Sequence, residues 1–563
     1  MLIARWAIAL LKSCSRLILV SFYFRTLTYK GFYMKTLLIF LAVIAVIIST
    51  NKSLAAQNFV FCMEGSPSSF NPQLVTDGVS MNSSAQTVFN RLIDFKHGST
   101  EITPGLAESW TVSKDKKTFT FKLRKNVAFH SNAFFTPTRM FNADDVIYTF
   151  KSQLDTKHPL SIPAANYEYF KAMELDQLIA DVKKIDEYTV AFILNRPEAP
   201  FLANLAMDFA SILSVEYAQS LIKSGKGLKT LETAPIGTGP FVFKSYQKDS
   251  TVRFKAFDQH YKGKPKIENL VYVIVTDSTV RLQKMKAGEC HVMSEPQPQD
   301  LDQIKTFANA KLMSTEGLNV SYIAFNTEKK PFNNIKVREA ISMALNQKSY
   351  IDLIYRSQGT AAKNPIPPTM WSYSNATAAH TYHVENAKKL LAEAGFPDGF
   401  ETDLWTLPVS RPYLPNGKKL GELVQADLAK IGVKVKLITF DWPIYLEKSR
   451  KGEHQMIQMG WTGDNGDPDN FMNVLLGCSA IKAGSNLARW CDKDFDTLMQ
   501  QAKENSNQKI RTDFYLKAQL VFNKQKPWYP VAHAKLNKVI SDKVTGYKID
   551  PFGHENFSSV DLK

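Results

Sequence analysis

The chain has 563 residues, of which 44% are hydrophobic and 22% charged, and its formal net charge is +16 at pH 7. This length predicts two or more lobes, because a single simple core rarely extends so far. The composition is that of a globular protein and excludes a low-complexity chain. Seven of the basic residues precede residue 57, where no acidic residue occurs. No arginine- or lysine-rich stripe points to nucleic acid, so the positive charge is interpreted as a solvated surface.

The N-terminal region has the pattern of a secretory signal. Lys35 precedes an apolar run from Leu37 to Ile48, and small residues follow near Ala55 and Ala56. A basic residue, a short apolar run and a small-residue cleavage site are typical of a signal peptide. The run is too short for a membrane span. We therefore predict an upstream extension at 1–33, a start at Met34, a signal peptide at 34–56 with cleavage near Ala55/Ala56, and export of the remainder.

The cysteines fit an exported protein. Cys14 lies in the upstream extension, which leaves Cys62, Cys290, Cys478 and Cys491. An even number in an oxidising compartment favours disulfides over a redox or metal site. Cys478 and Cys491 are close enough in sequence to close a local loop, which leaves Cys62 to pair with Cys290. No paired-cysteine or histidine motif indicates a metal, and no cofactor is expected.

Strand patterns dominate the first half of the exported chain. Phe119, Phe121 and Leu123 alternate with polar residues, which is the period of a half-buried strand. Asn142 precedes an apolar-periodic run and is predicted to begin a helix. Buried strands are predicted at 189–194 and 270–275.

Strands and helices alternate after residue 316, which favours an α/β lobe with a largely parallel sheet. No linker rich in Gly, Ser or Pro separates the two halves. Short crossing segments are therefore expected to join them, as a hinge requires. The strands are predicted at 322–326 and 433–440, and the helices at 337–346 and 386–395.

Two segments of the second half suggest a ligand with opposite charges at its ends. The stretch 460–470 reads Gly-Trp-Thr-Gly-Asp-Asn-Gly-Asp-Pro-Asp-Asn and predicts a sharply turned acidic loop beside a tryptophan. This combination suits a primary ammonium group. Arg411 stands between prolines near Tyr413, where it could bind a carboxylate through paired hydrogen bonds. Asp467 and Asp469 are interpreted as turn-capping residues.

Motifs throughout the exported chain extend this interpretation. From about Phe59 to the C-terminus the chain closely resembles the periplasmic solute-binding proteins of peptide ABC transporters, family 5, and especially their dipeptide-binding members. The segment 460–470 is the most specific part of the resemblance. The other motifs include Cys62–Pro67, Phe70–Leu74, Phe89–Leu92, Pro104–Trp110, Pro235–Phe241, Gly317–Val320 and Pro365–Trp371.

The resemblance implies an α/β periplasmic binding protein fold in which two lobes close on a ligand about a hinge. Lobe one is expected at 57–316 together with 535–563, with an inserted subdomain at about 90–230. Lobe two is expected at 317–534. The implied partners are a dipeptide and an inner-membrane ABC permease, and the implied state is a periplasmic monomer.

The resemblance also implies the role of each site residue. One aspartate would pair with the α-amino group of the peptide and one arginine, with a tyrosine beside it, would bind its α-carboxylate. Two residues of lobe two would line the ligand backbone, and two residues would approach from lobe one. In that order these positions are Asp464, Arg411 with Tyr413, Gly460 and Trp461, and Thr76 and Gly78.

Two other interpretations have to be weighed. Relatives of this kind carry haem or glutathione; Tyr413 and the many aromatic residues could support haem, and glutathione also has an ammonium group and carboxylates. These cargoes are the alternative to a dipeptide. An enzyme is not predicted, because no Gly-x-Ser-x-Gly or His-Glu-x-x-His motif occurs.

Overall fold

The computed structural model describes residues 58–563, so the predictions for residues 1–56 lie outside the described part. Within 58–563, no helix combines the length and apolar content needed to cross a membrane. The strands of this part are β1 Asn58–Met63, β2 Ile93–Phe95, β3 Ile102–Pro104, β4 Ala107–Val112, β5 Thr118–Leu123, β6 Ile179–Asp186, β7 Thr189–Leu194, β8 Phe241–Gln247, β9 Thr251–Ala256, β10 Asn269–Ile274, β11 Val292–Met293, β12 Ala310–Glu316, β13 Asn319–Phe325, β14 Gly359–Ala361, β15 Glu401–Trp405, β16 Lys434–Ile438, β17 Met456–Thr462, β18 Trp528–Ser541, β19 Val544–Thr545 and β20 Asp561–Leu562.

Helices connect and cover these strands. The α-helices are α1 Gly78–Ser83, α2 Ala143–Leu154, α3 Glu168–Ala172, α4 Leu175–Leu178, α5 Phe201–Asn204, α6 Val215–Lys223, α7 Ser278–Lys286, α8 Leu301–Ile304, α9 Ile335–Ala344, α10 Gln347–Tyr350, α11 Val384–Glu393, α12 Gly417–Ala429, α13 Trp442–Arg450, α14 Asp469–Leu476, α15 Ser479–Ala483, α16 Lys493–Glu504 and α17 Gln508–Gln525.

A twelve-stranded sheet runs through the molecule in the order β16-β15-β17-β13-β18-β11-β1-β10-β9-β8, and β12 and β14 also pair with β18. The long strand β18 holds this sheet together, because its partners change along its length. Its residues up to Ala534 pair with β13 and β14, whereas those from Lys535 onward pair with β12. The boundary predicted between the two lobes lies at this point of the sequence; the division itself stays a prediction.

The expectation of a largely parallel sheet after residue 316 is wrong. β15 pairs in parallel with β16 and β17, but β13 is antiparallel to both of its neighbours, β17 and β18. A helix between two strands predicts a parallel crossover only when those strands become neighbours. The neighbours of β13 come from distant parts of the chain, so the alternation of elements did not reveal its direction.

The individual elements agree with the sequence patterns. Asn142 begins α2 as predicted: its side chain accepts a hydrogen bond from the Asp144 amide at 2.9 Å, and the Asp145 carboxylate accepts one from the Asn142 amide at 3.1 Å. This reciprocal pair is a capping box. Gly395 follows the end of α11 with a φ of +94°, a conformation that favours glycine. The α/β prediction is confirmed.

A separate four-stranded antiparallel sheet, in the order β4-β5-β7-β6, lies within the region predicted as an inserted subdomain. Aromatic side chains join it to α2. The ring of Phe192 lies 5.6 Å from that of Phe121 in the sheet and 4.8 Å from that of Phe150 on α2. The segment that connects α2 to β6 contains α3, which contributes to the cavity described below.

The two disulfides have the pairing that the spacing predicts. Cys62 at the end of β1 is bonded to Cys290, with 5.7 Å between the Cα atoms. Cys478 is bonded to Cys491, with 4.6 Å between the Cα atoms. The first joins positions 228 residues apart and the second closes a loop of 13 residues.

Removing the disulfides one at a time should lower the free energy of unfolding by different amounts. Loop-closure entropy assigns about 3 kcal/mol to a loop near 15 residues and nearly 5 kcal/mol to a much longer one. The Cys62→Ala/Cys290→Ala variant should therefore unfold at a lower urea concentration than the Cys478→Ser/Cys491→Ser variant. Equilibrium urea unfolding, followed by tryptophan fluorescence, measures both. Equal midpoints for the two variants and the parent would contradict the prediction.

Candidate functional site

All seven predicted ligand-binding residues line one cavity of about 220 Å³. Its lining comes from the 58–316 segment, from residues after 317 and, at the C-terminus, from residues 552–554. The lining residues before and after residue 317 are called its two walls below. Their presence in one cavity lining does not test the role of each residue, and these roles remain predictions. The seven are Thr76, Gly78, Arg411, Tyr413, Gly460, Trp461 and Asp464.

The acidic loop is held by one asparagine. Strand β17 ends at Thr462 and α14 begins at Asp469, so the turn between them is short. Asn470 Oδ1 accepts hydrogen bonds from the Asp464 amide at 2.9 Å and from Trp461 Nε1 at 3.0 Å. A single buried oxygen therefore fixes both the tryptophan wall and the aspartate. The sequence analysis missed this role of Asn470, although its place at the start of a helix behind a turn was a usable signal.

The Asp464 carboxylate is polar, enclosed and without a cationic partner. Tyr169 donates a hydrogen bond to its Oδ1 at 3.2 Å, whereas Oδ2 is buried without a hydrogen-bond partner in the described part of the chain. Burial raises the pKa of the Asp464 carboxyl to about 7, against the opposing influence of His554. The carboxyl can therefore be protonated when the cavity is empty, and a bound cation would favour its charged form.

The other two aspartates of the loop do not line the cavity. Asp467 Oδ1 accepts a hydrogen bond from the Asp469 amide at 3.0 Å and forms an ion pair with Arg511 at 2.8 Å. This agrees with the interpretation of Asp467 as a turn-capping residue. It does not support that role for Asp469, whose Oδ1 is buried without a hydrogen-bond partner within residues 58–563. The loop thus presents one carboxylate, Asp464, to the cavity.

Gly460 and Tyr413 form a close-packed part of the cavity wall. A Cβ at Gly460 would lie 2.2 Å from Cδ2 of Tyr413, so the ring rests directly on the backbone of β17. The Tyr413 hydroxyl points to Met459 Sδ at 3.9 Å, and burial raises the pKa of this hydroxyl to about 12. The ring therefore acts as a wall, and its hydroxyl is directed toward sulfur.

Arg411 is held by its backbone and by an aromatic ring. Its amide and carbonyl pair with Leu414 at 3.1 and 3.0 Å, which forms a tight turn. Its guanidinium lies 4.4 Å from the centre of the Trp442 ring, a cation–π contact that leaves the donor edge available. Within residues 58–563 it forms no ion pair. Trp442 is a second residue that the sequence analysis missed.

The opposite wall carries Thr76 and Gly78 at the start of α1. Asp77, which lies between them, caps this helix by accepting a hydrogen bond from the Ser80 amide at 2.9 Å. A Cβ at Gly78 would meet nothing within 4 Å. This position therefore does not need glycine for packing, and its missing side chain leaves room at the cavity.

Further charges in the wall are already paired. Glu64 accepts a hydrogen bond from Ser294 at 2.6 Å. Lys538 Nζ lies 2.7 Å from Glu555 and 3.2 Å from Glu295, and although burial acts against its charge, these carboxylates raise the pKa of Lys538. Within residues 58–563, Asp464 and Arg411 form no ion pair, and Asp464 also has a buried oxygen, Oδ2, without a hydrogen-bond partner.

Comparison with known proteins identifies the family. Residues 101–483 match the bacterial extracellular solute-binding proteins, family 5 Middle. The chain is 48% identical over 512 residues to the dipeptide-binding protein of Escherichia coli strain K12, which covers 91% of this chain and 96% of that one. It is 46% identical over 512 residues to Heme-binding protein A of Haemophilus influenzae, with 91% and 93% covered.

Among solved structures, the dipeptide binding protein of Pseudoalteromonas sp. SM9913 in complex with Met-Leu superimposes with a TM-score of 0.86 at 38% identity, covering 90% of this chain and 100% of that one. This likeness confirms the predicted two-lobed periplasmic binding protein fold. On both the sequence match and the shared fold, the chain belongs to family 5 of the bacterial extracellular solute-binding proteins.

Proposed function

We propose that this protein is the periplasmic solute-binding component of an ABC importer that captures dipeptides. It binds their free α-amino and α-carboxylate groups and delivers them to an inner-membrane permease. The observation that carries the proposal is that one cavity is lined by a carboxylate, Asp464, and a guanidinium, Arg411, neither of which forms an ion pair within residues 58–563. The relatives support this choice, because proteins named for dipeptide binding share the fold and almost half of the sequence.

The two charges act as a gauge of ligand length. A dipeptide zwitterion carries its ammonium and carboxylate at a restricted separation, and each additional residue lengthens an extended chain by about 3.5 Å. Asp464 is fixed through Asn470, and Arg411 through Leu414 and Trp442. Fixed partners of this kind favour one length, and ordered water around the ligand's side chains would accommodate different sequences.

The alternative cargoes make different demands on these charges. Glutathione has an ammonium group and carboxylates, so it could use both partners. Haem brings carboxylates but no ammonium, so it would gain nothing from Asp464, which would have to remain protonated or carry a buried charge without a counter-ion. The charge pattern therefore favours a zwitterion over haem, even though a haem-binding relative is 46% identical.

The proposed role needs no catalysis, and the two-lobed fold supplies a mechanism for it. Ligand bound between two walls stabilises the closed arrangement, since it contacts both at once. Tyr169 in the 58–316 segment already donates to Asp464 on the other wall. A ligand ammonium at Asp464 would add to this contact. The protein, as a monomer, would then present its closed surface to the permease.

Asp464→Asn should abolish Ala-Ala binding and leave the fold intact. The amide keeps the shape of the carboxylate and can still accept the bond from Tyr169, but it cannot neutralise a buried ammonium. Loss of one partner of a buried pair costs about 3–5 kcal/mol. Isothermal titration calorimetry measures the affinity, with Asp302→Asn as control because Asp302 is exposed and does not line the cavity. Unchanged affinity in Asp464→Asn would refute the proposed ammonium site.

Arg411→Gln should weaken Ala-Ala much more than Ala-Ala amide. The amide ligand lacks the carboxylate, so the guanidinium has nothing to pair with in either protein. The preference for Ala-Ala over its amide should fall by about a hundredfold, in line with the loss of a buried ion pair. Competition calorimetry gives all four affinities. Arg411→Lys should be intermediate because it keeps the charge but loses the paired donors; an unchanged preference in Arg411→Gln would contradict the assignment.

Affinity for Ala-Ala should pass through a maximum between about pH 7 and pH 8. The raised pKa of Asp464, about 7, means that below pH 7 the carboxyl must lose a proton before it can pair with the ligand. Affinity should therefore fall as the pH decreases, by up to about tenfold per unit. It should also fall above about pH 8, where the ligand's α-amino group deprotonates.

The acidic limb of this profile belongs to Asp464. Calorimetry between pH 5 and 9, in buffers of different ionisation enthalpy, should detect proton release on binding below pH 7. A constant Ala-Ala affinity from pH 5 to pH 7, with no proton release on binding, would contradict this prediction.

A further inference from the structure

An ion pair at one end of the cavity joins its two walls. Arg450 Nη2 lies 2.7 Å from Glu168 Oε2, and both residues line the cavity. Glu168 begins α3 in the 58–316 segment, whereas Arg450 ends α13 in the other wall. Their side chains are 25% and 35% exposed. The pair is thus partly buried and accessible from the cavity.

The position of this pair relative to the two ligand charges follows from α13. Trp442, Leu446, Ser449 and Arg450 all line the cavity, so one face of this helix runs along it. Trp442 at the first turn stacks on Arg411. Arg450 stands eight residues further on, about 12 Å along the helix axis, and therefore lies away from the carboxylate end.

The pair is connected to the ammonium end through α3. Tyr169, which follows Glu168 directly, donates its hydroxyl hydrogen bond to Asp464. The Arg450 side chain is positioned by Gly484, where an added Cβ would come within 3.0 Å of Arg450 Cγ.

The charges of the pair are balanced only while both are present. Burial raises the pKa of the Glu168 carboxyl, and Arg450 opposes that rise. A carboxylate left alone in this position would attract a cationic group from the ligand, whereas an arginine left alone would attract an anionic one. Together they present a nearly neutral end wall.

We infer that Glu168 and Arg450 set the charge preference for the side chain of the ligand's N-terminal residue. The inference rests on the proposed function, because it is Asp464 that places this residue next to the pair. The intact pair disfavours neither sign strongly, so the parent protein should bind Lys-Ala and Glu-Ala with similar affinities. A purely structural ion pair would hold the walls together but would not discriminate between ligands by charge.

The test compares the affinities for Lys-Ala and Glu-Ala in variants that keep only one charge of the pair. Arg450→Gln should shift the affinity ratio toward Lys-Ala by about tenfold, and Glu168→Gln should shift it toward Glu-Ala by a similar factor, since charges in a partly buried site discriminate strongly. The double variant should return to the parental ratio. Calorimetry at pH 7.5 measures the affinities, and circular dichroism checks that each variant is folded.

Two controls make the result specific. Lys451→Gln removes the neighbouring charge, which is exposed and pairs with Glu447 outside the cavity lining, and it should leave the ratio unchanged. Ala-Lys and Ala-Glu, which carry the charge on the second residue, should also show no shift.

Unchanged ratios in both single variants, or equal shifts for Ala-Lys and Ala-Glu, would overturn the inference while Ala-Ala still binds. Failure of the parent protein to bind Ala-Ala would instead overturn the proposed function and this inference together.

Discussion

A carboxylate that is enclosed without a cation is the constraint on which the site depends. Water would stabilise the charge of Asp464, and its removal raises the pKa of this group to about 7. The protein tolerates the cost because Tyr169 and the fixed loop keep the group in place. A ligand that brings an ammonium group offsets this desolvation penalty. Binding free energy therefore comes from neutralising a carboxylate that has no counter-ion in the empty cavity. Arg411 is the corresponding cation, which stacks on Trp442 and is not paired with an acid within residues 58–563.

Other features of the fold serve to keep these two charges apart from the remaining ones. Lys538, Glu295 and Glu555 satisfy one another in the cavity wall, and Asp467 is neutralised by Arg511 behind the loop. Strand β18 joins the strands of the two walls in one sheet. Asp464 and Arg411 are therefore held by one continuous scaffold. Selectivity for a zwitterion thus comes from which charges are left without partners as much as from which are present.

The sequence predicted the parts of this arrangement that are local and missed those that are not. The density of Gly, Asp and Asn in 460–470 located the turn at 463–468, although 460–462 belong to β17 and 469–470 to α14. The resemblance assigned Asp464 in this turn and Arg411 in a separate segment to the ligand. Tyr169 lies 295 residues from Asp464 in the chain, so no spacing rule could connect them. The predicted parallel pairing was wrong at β13 for the same reason, because its neighbours in the sheet come from distant parts of the chain. Disulfide pairing succeeded because, with four cysteines, one short separation leaves only one remaining pair.

Thermal unfolding of the chain from Gln57, alone and with millimolar Ala-Ala, Ala-Ala-Ala, reduced glutathione or haemin, tests the central claim most directly. A ligand that binds only the native state at a thousandfold excess over its Kd adds about 4 kcal/mol to the stability. The account predicts a clear rise in Tm with Ala-Ala and a smaller rise or none with the other three. A rise with haemin or glutathione alone would contradict it, and the cavity charges would then need another explanation.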